Sequence, residues 1–225
     1  MKTQVFAPKF HEIVAPDATL DQVITGFQFV EGPIWHPQEK SLIFSDILGN
    51  TLYQWSEAEG AKILRRNSYM ANGNTYDLQG RVITCEHATS RLTRTDFSQN
   101  GELEVLATHY QGKELNSPND VICKRDGSIY FTDPNSGRSA GFGVPREQEL
   151  DFQGVYRLVA RDLSLLRLVD DFSKPNGLCF SRDEKHLFVN DTDHGHIRIF
   201  DVTDEGTLHN GRIWAALEPA GIGVA

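Results

Sequence analysis

The stretch Asn119-Asp120-Val121-Ile122-Cys123-Lys124-Arg125-Asp126-Gly127-Ser128-Ile129-Tyr130-Phe131-Thr132-Asp133 decides the fold. It opens on a polar residue, runs apolar, turns at Lys124-Arg125-Asp126-Gly127, runs apolar again and closes on a carboxylate. The pattern occurs four times, opening at Glu31, Asn72, Asn119 and Asn176 and closing at Asp46, Glu86, Asp133 and Asp191. The openings lie 41, 47 and 57 residues apart, the interval at which propeller blades recur. The other turns are His36-Pro37-Gln38-Glu39, Asp77-Leu78-Gln79-Gly80 and Ser181-Arg182-Asp183-Glu184. Gly, Asp and Pro favour such reversals because they tolerate or pre-set the backbone angles. Two antiparallel strands joined by a short turn begin and end at one sheet edge. The opening residues and closing acids are therefore expected at a single rim, with the opening residues around a central channel.

The fold expected is all-β, a β-propeller with about four blades, forming a single domain over residues 1–225. Strands are predicted at 31–35, 42–45, 51–55 and 62–65, then at 74–76, 82–85, 91–95 and 104–107. The last group falls at 177–180, 187–189, 196–200 and 212–214. Arg91-Leu92-Thr93-Arg94-Thr95 alternates strictly, as a half-exposed strand does. Residues 1–27 carry two short apolar patches, Glu12-Ile13-Val14 and Gln22-Val23-Ile24, and are expected to supply a closure strand. In the third copy the next strand starts only near Gly154. Residues 134–153 form an insertion leaving the acid-bearing rim, and a loop this long in a compact domain suits a pocket wall. After Asn176 the tail Leu217–Ala225 holds no further copy of the pattern.

Net charge is −9 with no Lys/Arg cluster, which argues against a nucleic-acid surface. Three cysteines without a CxxC point to a reducing compartment, and a cytoplasmic location is expected. Cys123 and Cys179 take inward-looking strand positions. Met1–Leu20 lacks a signal-peptide pattern, and no run approaches the ~20 apolar residues of a membrane span. GxSxG, GxGxxG and P-loop patterns are absent.

A column of Glu31, Asn72, Asn119 and Asn176 at one channel mouth offers oxygen donors without Cys or His, a set suited to Ca²⁺, Mg²⁺ or Mn²⁺. Glu31 breaks the Asn pattern, and an unanswered carboxylate there is costly without a cation or donor. The closing acids have a plainer role, accepting bonds from loop amides; Asp133 and Asp191 are the two expected to depart from it. His87, next to Glu86 at the rim, is a candidate substrate contact. His194 and His196 flank a turn glycine and read as surface loop.

Glu31-Gly32-Pro33-Ile34-Trp35, Asn116-Ser117-Pro118-Asn119-Asp120 and Pro175-Asn176-Gly177-Leu178 resemble the gluconolactonase / regucalcin (senescence marker protein) / luciferin-regenerating enzyme family. Cys85-Glu86-His87, Tyr130-Phe131-Thr132-Asp133-Pro134 and Phe188-Val189-Asn190-Asp191-Thr192-Asp193 extend the resemblance, towards its bacterial gluconolactonase branch. The match spans residues 25–217. It implies a six-bladed propeller, one divalent cation at the channel mouth (Ca²⁺ foremost; Zn²⁺, Mg²⁺ or Mn²⁺ otherwise) and hydrolysis of sugar lactones. By motif, Glu31 and Asn176 look like metal ligands, and Asn119 like the Asn beside the metal that holds substrate. Ser117 matches a position where regucalcin carries a substrate-contacting Arg. Asn119, Ser117, Asn72, His87 and Asp133 are the candidate substrate-binding residues. The family's catalytic Asp belongs to a Pro-Asp-Gly motif opening a fifth blade, so the resemblance places it beyond Ala225 and implies impaired turnover. A non-catalytic calcium- or sugar-binding propeller and a protein-interaction propeller are the alternatives.

Overall fold

The computed structural model describes Val5 and residues 8–99 and 101–216. The tail Leu217–Ala225 and part of the segment 1–27 lie outside these residues. Four antiparallel four-stranded sheets follow one another along the chain. Sheet I holds β1 (Val30–His36), β2 (Ser41–Asp46), β3 (Thr51–Ser56) and β4 (Gly60–Arg66). Sheet II holds β5 (Ala71–Tyr76), β6 (Val82–Glu86), β7 (Arg91–Thr95) and β8 (Glu104–Ala107). A small ladder of β9 (His109–Tyr110) and β10 (Lys113–Glu114) precedes sheet III. Sheet III holds β11 (Val121–Cys123), β12 (Ile129–Asp133), β13 (Gln153–Leu158) and β14 (Leu165–Phe172). Sheet IV holds β15 (Pro175–Phe180), β16 (His186–Asp191), β17 (His196–Val202) and β18 (Leu208–Ala216).

Each sheet packs against the next because its second strand is apolar on both faces. On β12 the period-2 alternation sends Ile129 and Phe131 into the core shared with sheet II, and Tyr130 into the core shared with sheet IV. Phe131 stacks on Tyr156 at 5.3 Å, and Tyr130 meets Phe180 edge-on at 5.0 Å. Both β12 aromatics are fully buried, a contribution on the order of 2–3 kcal/mol each. The first strands meet in order, β1 with β5, β5 with β11 and β11 with β15, so these inner strands gather side by side.

Three of the four opening residues sit at a register shift between first and second strand, at Glu31/Ile34, Ala71/Asn74 and Pro175/Leu178. A bulge bends its strand and re-aims a side chain, and here it turns the rim residue off the sheet. The next sheet then approaches closely: a Cβ on Gly32 would lie 2.1 Å from the Asn72 carbonyl, and one on Gly73 2.5 Å from that of Asn119. Ser45 Oγ donates to the Asn72 carbonyl, Gly73 N to that of Asn119 and Thr132 Oγ to that of Asn176, each at 2.7 Å. Asn190 stands directly before its closing acid, as Ser45 and Thr132 do, yet its Oδ1 and Nδ2 are buried without a partner among the described residues.

The closure strand expected in residues 1–27 does not form among the described residues. Pro8–Glu12 is a 3₁₀ helix, and Ile13 and Val23 are exposed. Cys179 is exposed rather than inward-looking, because nothing described covers that flank of sheet IV. Cys85 is buried and Cys123 half-buried, and all three thiols are free.

Candidate functional site

A cavity of about 590 Å³ opens where the inner strands meet, lined by Glu31, Asn72, His87, Asn119 and Asn176 among others. Four sheets thus deliver five of the residues read from sequence as site residues to one place. Phe29, Ile47 and Phe142 give it an apolar flank, while Asn135, Ser136, Ser139 and Gln148 supply neutral polar groups.

Each asparagine is anchored by its nitrogen. Asn72 Nδ2 lies 3.1 Å and Asn119 Nδ2 3.4 Å from His87 Nε2, and Asn176 Nδ2 donates to Thr192 Oγ at 3.2 Å. None of the three Oδ1 atoms takes part in a hydrogen bond among the described residues. Glu31 forms no ion pair there either, and burial raises its carboxyl above the ordinary range, against the opposing Gly32 amide. The cavity therefore gathers one carboxylate and three amide oxygens without a cationic partner for the carboxylate. Lys174, Arg138 and Arg146 also line it, but Lys174 Nζ pairs with Asp193 at 2.8 Å, and Arg138 and Arg146 pair with Glu114 at 2.6 and 3.4 Å. Oxygen-only donor sets of this kind fit a hard divalent cation.

His87 is fixed from several sides. Its backbone N–H donates to the Met70 carbonyl at 3.2 Å, and Nδ1 lies 2.8 Å from the Phe142 carbonyl. Burial pushes the imidazole down to about 4; the Phe142 bond opposes this and Arg146 adds to it. The ring is thus neutral at ordinary pH. With both nitrogens engaged inside the protein, His87 forms part of the cavity wall.

Ser117 stands apart from the cavity lining. It is fully buried, its hydroxyl donates to the Pro134 carbonyl and accepts from Gly137 N at 2.9 Å, and it does not line the cavity. The insertion closes over it: a Cβ on Gly137 would be 2.7 Å from those of both Ser117 and His87. The insertion itself is held by Arg138, which bonds Glu114 Oε2 and the Leu115 carbonyl at 2.6 Å and the Asn116 carbonyl at 2.8 Å.

Asp133 does not reach the cavity. It is fully buried, accepting from Asn116 N at 2.9 Å and Ser117 N at 2.8 Å. Asp46 serves the Gln28, Phe29 and Gly49 amides in the same way, and Asp191 the Ser173 and Lys174 amides. Both expected exceptions, Asp133 and Asp191, thus follow the plain role. Glu86 differs because its side chain is one methylene longer. It passes the amides and pairs with Arg65 at 3.1 Å and Arg91 at 2.5 Å.

Two features were missed in the sequence. Asp120 replaces the glycine that follows the rim residue in the other three copies. It bridges sheets by accepting from Leu178 N at 3.2 Å, and burial lifts its carboxyl to about 6. Asp191, His194 and His196 bring potential ligand atoms within 4.8 Å of one another, with His194 Nδ1 2.9 Å from Asp191 Oδ2. That group lies outside the oxygen-lined cavity, and its carboxylate already serves backbone amides. Among the described residues no helix is long and apolar enough to cross a membrane.

Residues 29–223 match the family model described as SMP-30/Gluconolactonase/LRE-like region. A gluconolactonase of Zymomonas mobilis subsp. mobilis is 28% identical over 205 residues, 85% of this chain and 57% of the relative. The solved structure of a gluconolactonase from Xanthomonas campestris aligns with a TM-score of 0.81 at 38% identity, covering 87% of this chain and 65% of that one. A calcium-binding regucalcin from Agrobacterium tumefaciens shares the fold, with a TM-score of 0.66 at 17% identity, over 84% of this chain and 60% of that one. The chain spans about half to two thirds of the length of these relatives.

Proposed function

Because the chain belongs to the SMP-30/gluconolactonase/LRE-like family, we propose that its cavity is the cation- and substrate-binding part of a sugar-lactone hydrolase. On this reading the four sheets are four blades of a six-bladed propeller. The observation that carries the proposal is the convergence of Glu31, Asn72, Asn119 and Asn176, with free oxygens, on one cavity.

Glu31, Asn119 and Asn176 would hold a divalent cation, with Ca²⁺ foremost and Zn²⁺, Mg²⁺ or Mn²⁺ as the other candidates. When bound, such an ion polarises a lactone carbonyl as a Lewis acid. The chain's own residues do the rest of the positioning. Asn72 and Asn119 present amide oxygens to the hydroxyls of a polyhydroxylated ring. Asn135, Ser136, Ser139 and Gln148 offer further neutral donors and acceptors at the mouth. Phe29, Ile47 and Phe142 limit access of water from one side.

Glu31 is the single carboxylate among the described lining residues, and Asp133 and Asp191 are engaged with backbone amides. Among the described residues no second acid lines the cavity to activate water. The reading assigns this chain binding, with weak turnover. A cytoplasmic location belongs to the same reading and is supported by three free thiols.

Hydrolysis of gluconolactone and of a pentonolactone, followed by proton release, tests it. Metal-stripped protein should be inert, and added Ca²⁺, Mn²⁺, Zn²⁺ or Mg²⁺ should restore slow turnover that Glu31→Gln abolishes. Cation binding without turnover would favour the non-catalytic reading. Fast turnover by these 225 residues would contradict the assignment of binding alone.

A further inference from the structure

His87 is fully buried, and its two ring nitrogens face different elements. Nδ1 lies 2.8 Å from the Phe142 carbonyl, which belongs to the insertion between β12 and β13. A carbonyl only accepts, so Nδ1 must carry the proton. Among the described residues no carboxylate bonds this buried ring, and the Arg146 guanidinium sits on the His87 backbone carbonyl, so the ring is neutral and Nε2 is an acceptor. The groups facing Nε2 are the side-chain amides of Asn72, at 3.1 Å, and Asn119, at 3.4 Å. An amide can meet an acceptor only with its NH₂ end, so each must turn its oxygen the other way, towards the cavity both side chains line.

We propose that His87 is a positioning residue that presents Oδ1 of Asn72 and Asn119 to the cavity, in a tautomer dictated by the Phe142 carbonyl of the insertion. The inference rests on the cation-site reading above for its consequence, but not for its geometry. It gives the insertion a defined task. Gly137 permits the approach, because a Cβ there would fall 2.7 Å from His87 Cβ and Cγ. The closed loop sets the tautomer, the tautomer sets the two amides, and the amides set the field offered to a cation. A second partner that fixes ligand orientation in this way typically changes metal affinity by about 10–100-fold.

The experiment uses the full chain labelled with ¹⁵N, near pH 7.5. The expected result is a His87 ring protonated at Nδ1 and bare at Nε2, with a through-hydrogen-bond coupling between Asn72 Nδ2 and His87 Nε2. Mn²⁺ titration is then compared across wild type, His87→Gln and His87→Leu. Glutamine keeps an acceptor and a donor, so His87→Gln should bind Mn²⁺ within about threefold of wild type. His87→Leu should weaken it by about 10–100-fold. A ring protonated at Nε2, or at both nitrogens, overturns the proposal, as does a folded His87→Leu that binds Mn²⁺ like wild type. If the coupling is present but wild type binds no Mn²⁺, the positioning role stands and the cation-site reading fails. If His87→Leu does not fold, the wild-type tautomer and the His87→Gln titration decide.

Discussion

Thr132 Oγ donates a 2.7 Å hydrogen bond to the backbone carbonyl of Asn176. The same hydroxyl accepts from Asp120 N at 3.1 Å, so one side chain of sheet III ties two backbone groups at the inner rim. Thr132→Val keeps the shape and removes both bonds. A partly buried carbonyl left unpaired costs on the order of 1–3 kcal/mol. Urea unfolding should show a loss of that size with an unchanged denaturant slope. Cation affinity should fall as well, because Asn176 is no longer pinned.

Glu31 carries an electrostatic signature that a cation would invert. Burial raises its carboxyl, so without a cation the folded state holds the proton more readily than the unfolded state. Its contribution is favourable at low pH and is lost as pH rises from the ordinary carboxylate range through the raised value. A cation binding the charged form reverses this by mass action. Thermal unfolding should therefore show a larger Ca²⁺-dependent rise in Tm near pH 7 than near pH 4. Glu31→Gln should lose that response and, without Ca²⁺, be at least as stable as wild type at pH 7. A Glu31→Gln protein with the full Ca²⁺ response would remove Glu31 from the ligand set.

The pH dependence of His87 runs the other way. Burial pushes it down to about 4, whereas an unfolded histidine titrates near 6.5. Between those values the unfolded chain binds a proton that the folded chain refuses, so this residue lowers stability as pH falls from about 6.5 towards 4. Above that window it contributes no slope. The size is at most about 3 kcal/mol at the acid end. Asp120, lifted to about 6, takes up a proton in the folded state and offsets part of the loss. The diagnostic is thus the difference curve between wild type and His87→Gln in denaturant unfolding, which should grow only below about pH 6.5.

Asp133→Asn separates a structural acid from a catalytic one. Both oxygens accept backbone amides, so one of Asn116 N and Ser117 N would face an NH₂ group in the variant. The expected loss is about 1–3 kcal/mol of stability. Mn²⁺ affinity of the protein that remains folded should not change. Loss of affinity without loss of stability would return Asp133 to the site.

The sheets were legible because their signals are local. Apolar alternation and turn chemistry locate β1–β8 to within a few residues, and the repeated rim column names Glu31, Asn72, Asn119 and Asn176 before any coordinates. Other assignments depend on what comes from elsewhere in the chain. Asp133 looks like a rim carboxylate until the 116–117 backbone is laid across it. Ser117 looks like a substrate position until Gly137 settles over it. His87 sits beside a rim acid in sequence, but its role depends on a carbonyl 55 residues away. The expected closure strand had apolar patches, but among the described residues before β1 only the 3₁₀ helix Pro8–Glu12 forms. Periodicity reports which face is apolar; it does not report which backbone arrives to meet a polar group.

Asn190 Oδ1 and Nδ2 are buried behind the flank of sheet IV, beside Leu178, Phe188 and Ile197, and meet no partner among the described residues. An amide held dry in this way costs about 1–3 kcal/mol per group. The folded chain carries that cost by itself, so an apolar side chain of similar size at 190 should make the sheet sturdier.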